Sequence, residues 1–210
     1  MKKIDVATWE RKQVFNFYEH MDVPMYNMTF ELDVTRFYLY VKANNQSFYF
    51  TFMHLVMKEM NKIENFKYRF VDDTPYVFDT VHPSFTDLIN GKESFKIVTI
   101  DYVADEKQFI ELAKKASDDQ GDTFIDLSEE VRDDLVYITT FPWATYQQVS
   151  FAHNINHHDA VPRLTWGKYH IVNDRKVMPF SIGVHHAFVD GFHVGKLINN
   201  LQSALDAYIL

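Results

Sequence analysis

The chain contains no cysteine. That absence excludes disulfides, thiolate zinc sites and thiol nucleophiles together, and it leaves the redox setting undetermined. Glycine and proline are sparse, six of each in 210 residues, and thinly spread, so no low-complexity linker or internal repeat breaks the sequence. Positive charge is in deficit: 21 Lys and Arg against 29 Asp and Glu give a formal net charge of -8. Phosphate backbones and anionic headgroups are repelled by such a chain, so neither nucleic acid nor a membrane is an expected partner. The longest apolar cluster, FYFTFMHLVM at 48–57, is too short to span a bilayer and includes His54. The opening MKKIDVATWERKQVF has charges and a tryptophan where a signal peptide needs a continuous apolar core, which makes the cytoplasm the expected setting.

Aromatic residues, by contrast, are abundant. With 19 Phe and 12 Tyr, the chain has more apolar surface than one core needs, which predicts a subunit interface, an apolar ligand cavity, or both. One domain over 1–210 is expected. Periodicity predicts a helix over 7–20 capped by Thr8, a strand over 25–35, and two helices over 35–63 broken near Asn44-Asn45. Phe48, Phe52, Leu55, Val56 and Met60 form the buried stripe of the second. Strands are predicted at KYRFV, YVFDTVHP and SFKIVTIDY, then a helix over 106–117 and an acidic loop with short helical turns over 118–134. Four more strands follow at LVYITTF, TYQQVSFAHN, RLTWGKYHI and VMPFSIGVHH. A final amphipathic helix begins at Gly191 and presents Val194, Leu197, Ile198, Leu201 and Leu205 on one face. Strands and helices mix without strict alternation, so the fold class is α/β, a two-layer sandwich of a mixed β-sheet with packed helices.

The heptapeptide HHAFVDG, residues 185–191, raises the question of function. Its two histidines admit three readings: a solvated strand end, a metal site shared with HNINHHD at 153–159, or a general base on a rigid mount. Zinc needs three or four convergent ligands, and neighbouring residues of a strand point to opposite faces, so no metal is expected here. A histidine titrates near neutrality, which suits it to take a proton from a hydroxyl held close to it.

Further motifs narrow the choice. HHAFVDGFHVGKLINNLQ closely resembles the signature of chloramphenicol acetyltransferases, HHxxxDGFH followed by an amphipathic C-terminal helix. TWERKQVFNFYEH resembles the family's W-x-R-[RK]-x-x-F segment, VFDTVHPSFT its WDSVHPxxT strand, FPW at 141–143 its PW pair, and TWGKY at 165–169 its TMGKY. These blocks keep the family's order and spacing over nearly the whole chain. The resemblance implies a homotrimer with active sites between subunits, acetyl-CoA as co-substrate from one side, and a small apolar hydroxyl acceptor from the other, with chloramphenicol the first candidate. It also implies no metal.

Carried over by motif, His186 is the base that deprotonates the acceptor hydroxyl, and His185 is structural. Asp190 pairs with Arg11 to brace the loop instead of touching the histidine. Thr165 matches the threonine that holds an ordered water, and Phe17, Tyr18, Tyr26, Phe95 and Phe151 match acceptor-pocket positions. Trp143 and Tyr169 fall on the coenzyme side. Thr139 stands where the family has a serine that donates to the oxyanion; it keeps the hydroxyl and adds a methyl. Asp22 and His153 replace apolar residues near the acceptor, which leaves open a different hydroxyl acceptor, or a silent binding protein on the same scaffold.

Overall fold

Residues 175–185 alternate Met178, Phe180, Ile182 and Val184 with small or polar partners, and they form the strand on which the sheet is assembled. The computed structural model describes residues 1–152, 156 and 158–209. In chain order the elements are β1 (Lys2–Lys3), α1 (Lys12–Tyr18), β2 (Met25–Asp33), α2 (Thr35–Ala43), α3 (Phe48–Asn61), a 3₁₀ turn at Glu64–Lys67, β3 (Tyr68–Val71), β4 (Thr74–Val77), β5 (His82–Leu88) and β6 (Phe95–Thr99). They continue with α4 (Glu106–Gln120), α5 (Leu127–Glu130), β7 (Leu135–Phe141), β8 (Arg163–Gly167), β9 (His170–Val172), β10 (Arg175–His185) and α6 (Gly191–Asp206). The large sheet runs β2-β10-β8-β7-β5-β6, with β9 also paired to β10, and β1-β4-β3 form a separate small sheet. β10 is antiparallel to both neighbours, whereas β7 is parallel to β8 and to β5, so the sheet is mixed, as expected.

Helices cover one face of this sheet. Phe52 of α3 meets Trp166 and Phe180 at ring-centroid distances of 4.9 and 6.1 Å, and Phe37 of α2 joins Phe48 and Phe52. Val194, Leu197, Leu201 and Leu205 of α6 are fully buried, as their spacing predicts. The other face carries short polar side chains: Thr29, Ser181, Thr165, Thr139 and Thr86 follow one another on adjacent strands, and Asn27 lies beside Thr29 on β2. Residues 144–152 cross over it. Tyr146 lies where a side chain on Gly167 would sit, at 2.8 Å from its ideal Cβ, and Phe151 likewise approaches that of Gly183 to 2.9 Å.

Several elements depart from expectation for identifiable reasons. The predicted helix over 7–20 is confined to 12–18, because Thr8 turns backward: its hydroxyl donates to the Asp5 carboxylate at 3.0 Å instead of capping forward. YVFDTVHP is divided between β4 and β5, which belong to different sheets; Asn61 grips Val81 at the break, accepting from its N–H at 2.8 Å and donating to its carbonyl at 3.1 Å. RLTWGKYHI is likewise two strands, and SFKIVTIDY is a strand only over 95–99. α4 continues to Gln120, beyond the predicted end. TYQQVSFAHN is not a strand over its described residues 145–152: β8 occupies the place beside β7, and the segment spends its aromatic side chains on the two glycine sites. His153 and Asn154 lie outside the described residues.

Candidate active site

The strand ends at His185, and the chain must turn to start α6 at Gly191. That turn is held from outside by Arg11, whose side chain is only 11% exposed. Its guanidinium donates to both carboxylate oxygens of Asp190, at 2.5 and 2.6 Å, to the Ala187 carbonyl at 2.6 Å and to the His186 carbonyl at 2.9 Å. A planar fork suits this bidentate pattern, and charge makes each bond stronger than a neutral one. Asp190 also begins α6, its N–H donating to Nδ1 of His193 at 3.0 Å. Burial lowers the affinity of His193 for a second proton, consistent with an acceptor Nδ1. His193 has no role in the family resemblance as carried over; its position three residues after an aspartate N-cap is the signal that marks it in the sequence.

Within this frame the two histidines are unequal. His185 is 1% exposed, its Nδ1 accepting from the Ala187 N–H at 3.1 Å, its ring packed near Phe70 and Phe188. His186 keeps 31% of its side chain exposed. Its ring stacks on Tyr18 at 4.0 Å and 4°, and Tyr26 tilts against it at 4.6 Å. Tyr26 donates to the Val189 carbonyl at 3.2 Å, and burial, followed by the Asp190 charge, pushes its phenol up to about 12, so it remains a donor. The Asp190 brace takes the form expected, but its separation from the histidine does not: Asp190 Oδ1 lies 3.3 Å from His186 Nδ1. That nitrogen is buried and has no partner in hydrogen-bond geometry, so the contact is electrostatic.

A second group of predicted residues gathers elsewhere. A cavity of about 740 Å³ is lined by Phe95, Thr139, Trp143 and Tyr169, together with Tyr38, Lys42, Lys168 and Thr86. The Thr139 hydroxyl lies 3.1 Å from that of Thr86 and also faces a smaller cavity of about 440 Å³ that Phe151 lines. Thr165 is 3% exposed between Thr139 and Ser181. Lys42, Lys168 and Thr86 were not singled out from sequence, although Lys168 lies inside the TWGKY block and Thr86 ends the VHPSFT one.

The site residues predicted from sequence thus gather in two groups and not in one. Thr139 pairs across to Thr165, and Thr165 to Ser181, which puts Thr139 two strands over from β10 and His186 five residues beyond Ser181, just past the strand's end. At about 4.8 Å per strand and about 3.3 Å per residue the separation is roughly 19 Å. Arg11, Phe17, Tyr18, Tyr26, His186 and Asp190 form the first group, and Phe17 there is 65% exposed. Asp22 is exposed as well, so its carboxylate carries no burial penalty. Of HNINHHD, residues 153–155 and 157 lie outside the described residues; His158 contacts Asp73 at 2.5 Å.

The Arg11 hydrogen bonds, more than burial opposes, hold the Asp190 carboxyl below its ordinary 3.8. A depressed folded value means that the brace contributes in full above about 3.8 and is lost as the pH falls below it through the folded value. The difference in thermal midpoint between wild type and Asp190→Asn is therefore expected to be widest near neutrality and to close in acid. A gap independent of pH would show that the Asp190 charge is not what braces the loop.

Residues 1–202 match the chloramphenicol acetyltransferase family. A chloramphenicol acetyltransferase of Escherichia coli is 31% identical over 207 residues, covering 98% of this chain and 94% of that protein. One from Proteus mirabilis is 29% identical over 204 residues, 97% of this chain and 94% of its own. A solved chloramphenicol acetyltransferase superposes with a TM-score of 0.90 at 28% identity, over 98% of this chain and 100% of the other. The cubic core of a pyruvate dehydrogenase multienzyme complex, at 12% identity and a TM-score of 0.69 over 99% of this chain and 96% of that one, shares the fold alone. Among the described residues no helix is long and apolar enough to cross a membrane. With nearly the whole chain inside the family match, and the clamped histidine loop present in it, the protein belongs to the chloramphenicol acetyltransferase family and is an acyltransferase.

Proposed function

We propose that the protein transfers the acetyl group of acetyl-CoA to a hydroxyl of chloramphenicol, inactivating the antibiotic, and that it does so as a homotrimer in the cytoplasm, where acetyl-CoA is available. The observation that carries the reading is the Arg11 clamp, which fixes the carbonyl of His186 and the backbone that follows it and leaves the ring partly open. The carboxylate beside Nδ1 favours the tautomer with its proton there, so Nε2 is free to act as base. His186 takes the acceptor's hydroxyl proton as that oxygen attacks the thioester carbonyl. Thr139 donates its hydroxyl proton in a hydrogen bond to the tetrahedral oxyanion, and Thr165 holds a water beside it. Collapse expels the CoA thiolate, which recovers the proton from His186, giving acetyl ester and free CoA with no acetyl-enzyme.

The separation of the two groups of residues supports a site shared between subunits. A base and an oxyanion donor roughly 19 Å apart in one chain serve one reaction only if each meets its counterpart on a neighbouring chain. Phe17 at 65% and Trp143 at 62% exposure are then covered by assembly and ligands. Phe17, Tyr18, Tyr26, Phe95 and Phe151 are assigned to the acceptor. Trp143 and Tyr169 are assigned to the coenzyme, and Lys42 and Lys168 in the same cavity suit its phosphates.

Acetyl-CoA thiolysis measured with and without chloramphenicol tests the reading. Release of CoA that chloramphenicol stimulates supports it; release stimulated only by other alcohols assigns another acceptor, and no release at all leaves a binding protein. A general base contributes about 10²- to 10⁴-fold, so His186→Ala is expected to lower kcat by that factor with the oligomer intact. Activity that survived the change would refute the base assignment. In solution the mass is expected to be that of three chains, and a stable monomer would overturn the shared site. Thr139→Ser, which restores the family's residue, is expected to maintain or raise the rate of acetylation; a clear fall would mean that the site is built around threonine.

A further inference from the structure

The face of the sheet away from the helices carries a line of hydroxyls running across the strands. Thr139 lies beside Thr165, Thr165 beside Ser181, and Ser181 beside Thr29, the last two joined by a hydrogen bond of 2.7 Å. Thr86 on β5 begins the line, its Oγ1 3.1 Å from that of Thr139. Among the described residues neither of these two hydroxyls makes another side-chain hydrogen bond.

A hydroxyl has one proton and two acceptor lone pairs, so of two hydroxyls joined by a single bond only one spends its proton. If Thr139 donated to Thr86, it would have no proton left for an oxyanion. If Thr86 donates, the Thr139 proton stays free, and its direction is limited because one lone pair is already occupied. The donor Thr86 is itself well anchored. Strand β5 is hydrogen-bonded on both sides, to β6 and β7, and Tyr49 donates to the Thr86 carbonyl at 2.7 Å. Burial, and then the Asp87 charge, keeps the Tyr49 phenol protonated. A β-branched side chain on a fixed backbone has a stiff χ1, so the hydroxyl of Thr86 is held where it points.

We propose that Thr86 is a positioning residue for acyl transfer: by donating to Thr139 it keeps the Thr139 proton free and aimed at the oxyanion before the substrate arrives. A donor oriented in advance costs no reorganisation at the moment of reaction, which is where such a contact raises the rate. The proposal rests on the reading of Thr139 as the oxyanion donor. The two residues' shared position on both cavities puts this pair where substrate approaches the sheet.

The test is a set of variants assayed with acetyl-CoA and chloramphenicol: Thr86→Val, Thr86→Ser, Thr139→Val, and the double change to valine. Thr86→Val is expected to lower kcat by about tenfold, the worth of one hydrogen bond, with KM for both substrates little changed, and Thr86→Ser to restore it. The double variant is expected to be no slower than Thr139→Val alone, because an orienting group has nothing left to orient. Undiminished kcat in Thr86→Val beside an impaired Thr139→Val overturns the proposal and leaves the role of Thr139 standing. An unimpaired Thr139→Val removes both. Losses that multiply in the double variant, or a rise in KM for chloramphenicol with kcat intact, would make Thr86 an independent contact and overturn it also. Thr86→Ala gives the same reading should valine disturb the strand, as the thermal midpoints will show.

Discussion

A guanidinium withdrawn from water must find acceptors for its N–H groups, and one that fails loses far more than its charge attraction returns. Arg11 finds four, all of them on the five residues that follow β10. The loop cannot move without breaking several charge-assisted bonds at once, so the position of His186 is set by a side chain distant in sequence from it. The same contact fixes more than the histidine. Asp190 is the N-cap from which α6 starts, and the short helix bearing Arg11 is anchored by Phe15, whose ring meets Phe70 and Phe188 at 5.8 and 5.7 Å. A lysine would offer a point charge and not this fork.

The sheet divides its two faces by size as much as by polarity. Aromatic bulk goes to the helical side, where Phe52, Trp166 and Phe180 interlock. The opposite side carries threonines and serines short enough to let a crossing segment lie close, and at its tightest points even a methyl is excluded, so Gly167 and Gly183 admit Tyr146 and Phe151. In a chain with only six glycines these two are placed where backbone and ring must approach. A flat face of fixed hydroxyls is a poor core and a suitable wall for polar chemistry.

Much of this was legible in the sequence because it rests on local pattern. The α6 stripe, the break at Asn44-Asn45, where Asn45 has φ of 50°, and the mixed sheet follow from periodicity and turn residues. What was misread turns mostly on partners distant in sequence. TYQQVSFAHN alternates well enough to be a strand, but strand pairing is decided by which edge is free, and β8 already fills that place. Thr8 was misread for a local reason: it has the right chemistry for a cap and uses it on Asp5, three residues back. In the site, the family resemblance pointed to His186, Asp190 and Arg11, which the fold brings together, while the approach of Asp190 to Nδ1 depends on how a five-residue loop folds on itself. Thr86 and Thr139 are 53 positions apart, and only the parallel pairing of β5 with β7 makes them neighbours.

Charge shows the same difference between global and local reading. A net charge of -8 repels extended polyanions, whose charges sample the whole surface. Screening confines a side chain's field to about 8 Å at physiological salt, so a compact ligand in a cavity responds to its walls instead. In the cavity beside Thr139 those walls are unlike: Lys42 and Lys168 stand on the side of α2 and β8, Asp87 and Glu93 on the side of β5 and β6. Lys176 lies 4.6 and 4.9 Å over the rings of Tyr38 and Tyr169, two of the aromatics that line the same cavity. A ligand with anionic groups at one end is therefore drawn in one orientation, anions toward the lysines and its neutral end toward the threonines. On the proposed assignment of this cavity to the coenzyme, the acidic chain keeps a cationic end where the phosphates of acetyl-CoA are to be aligned.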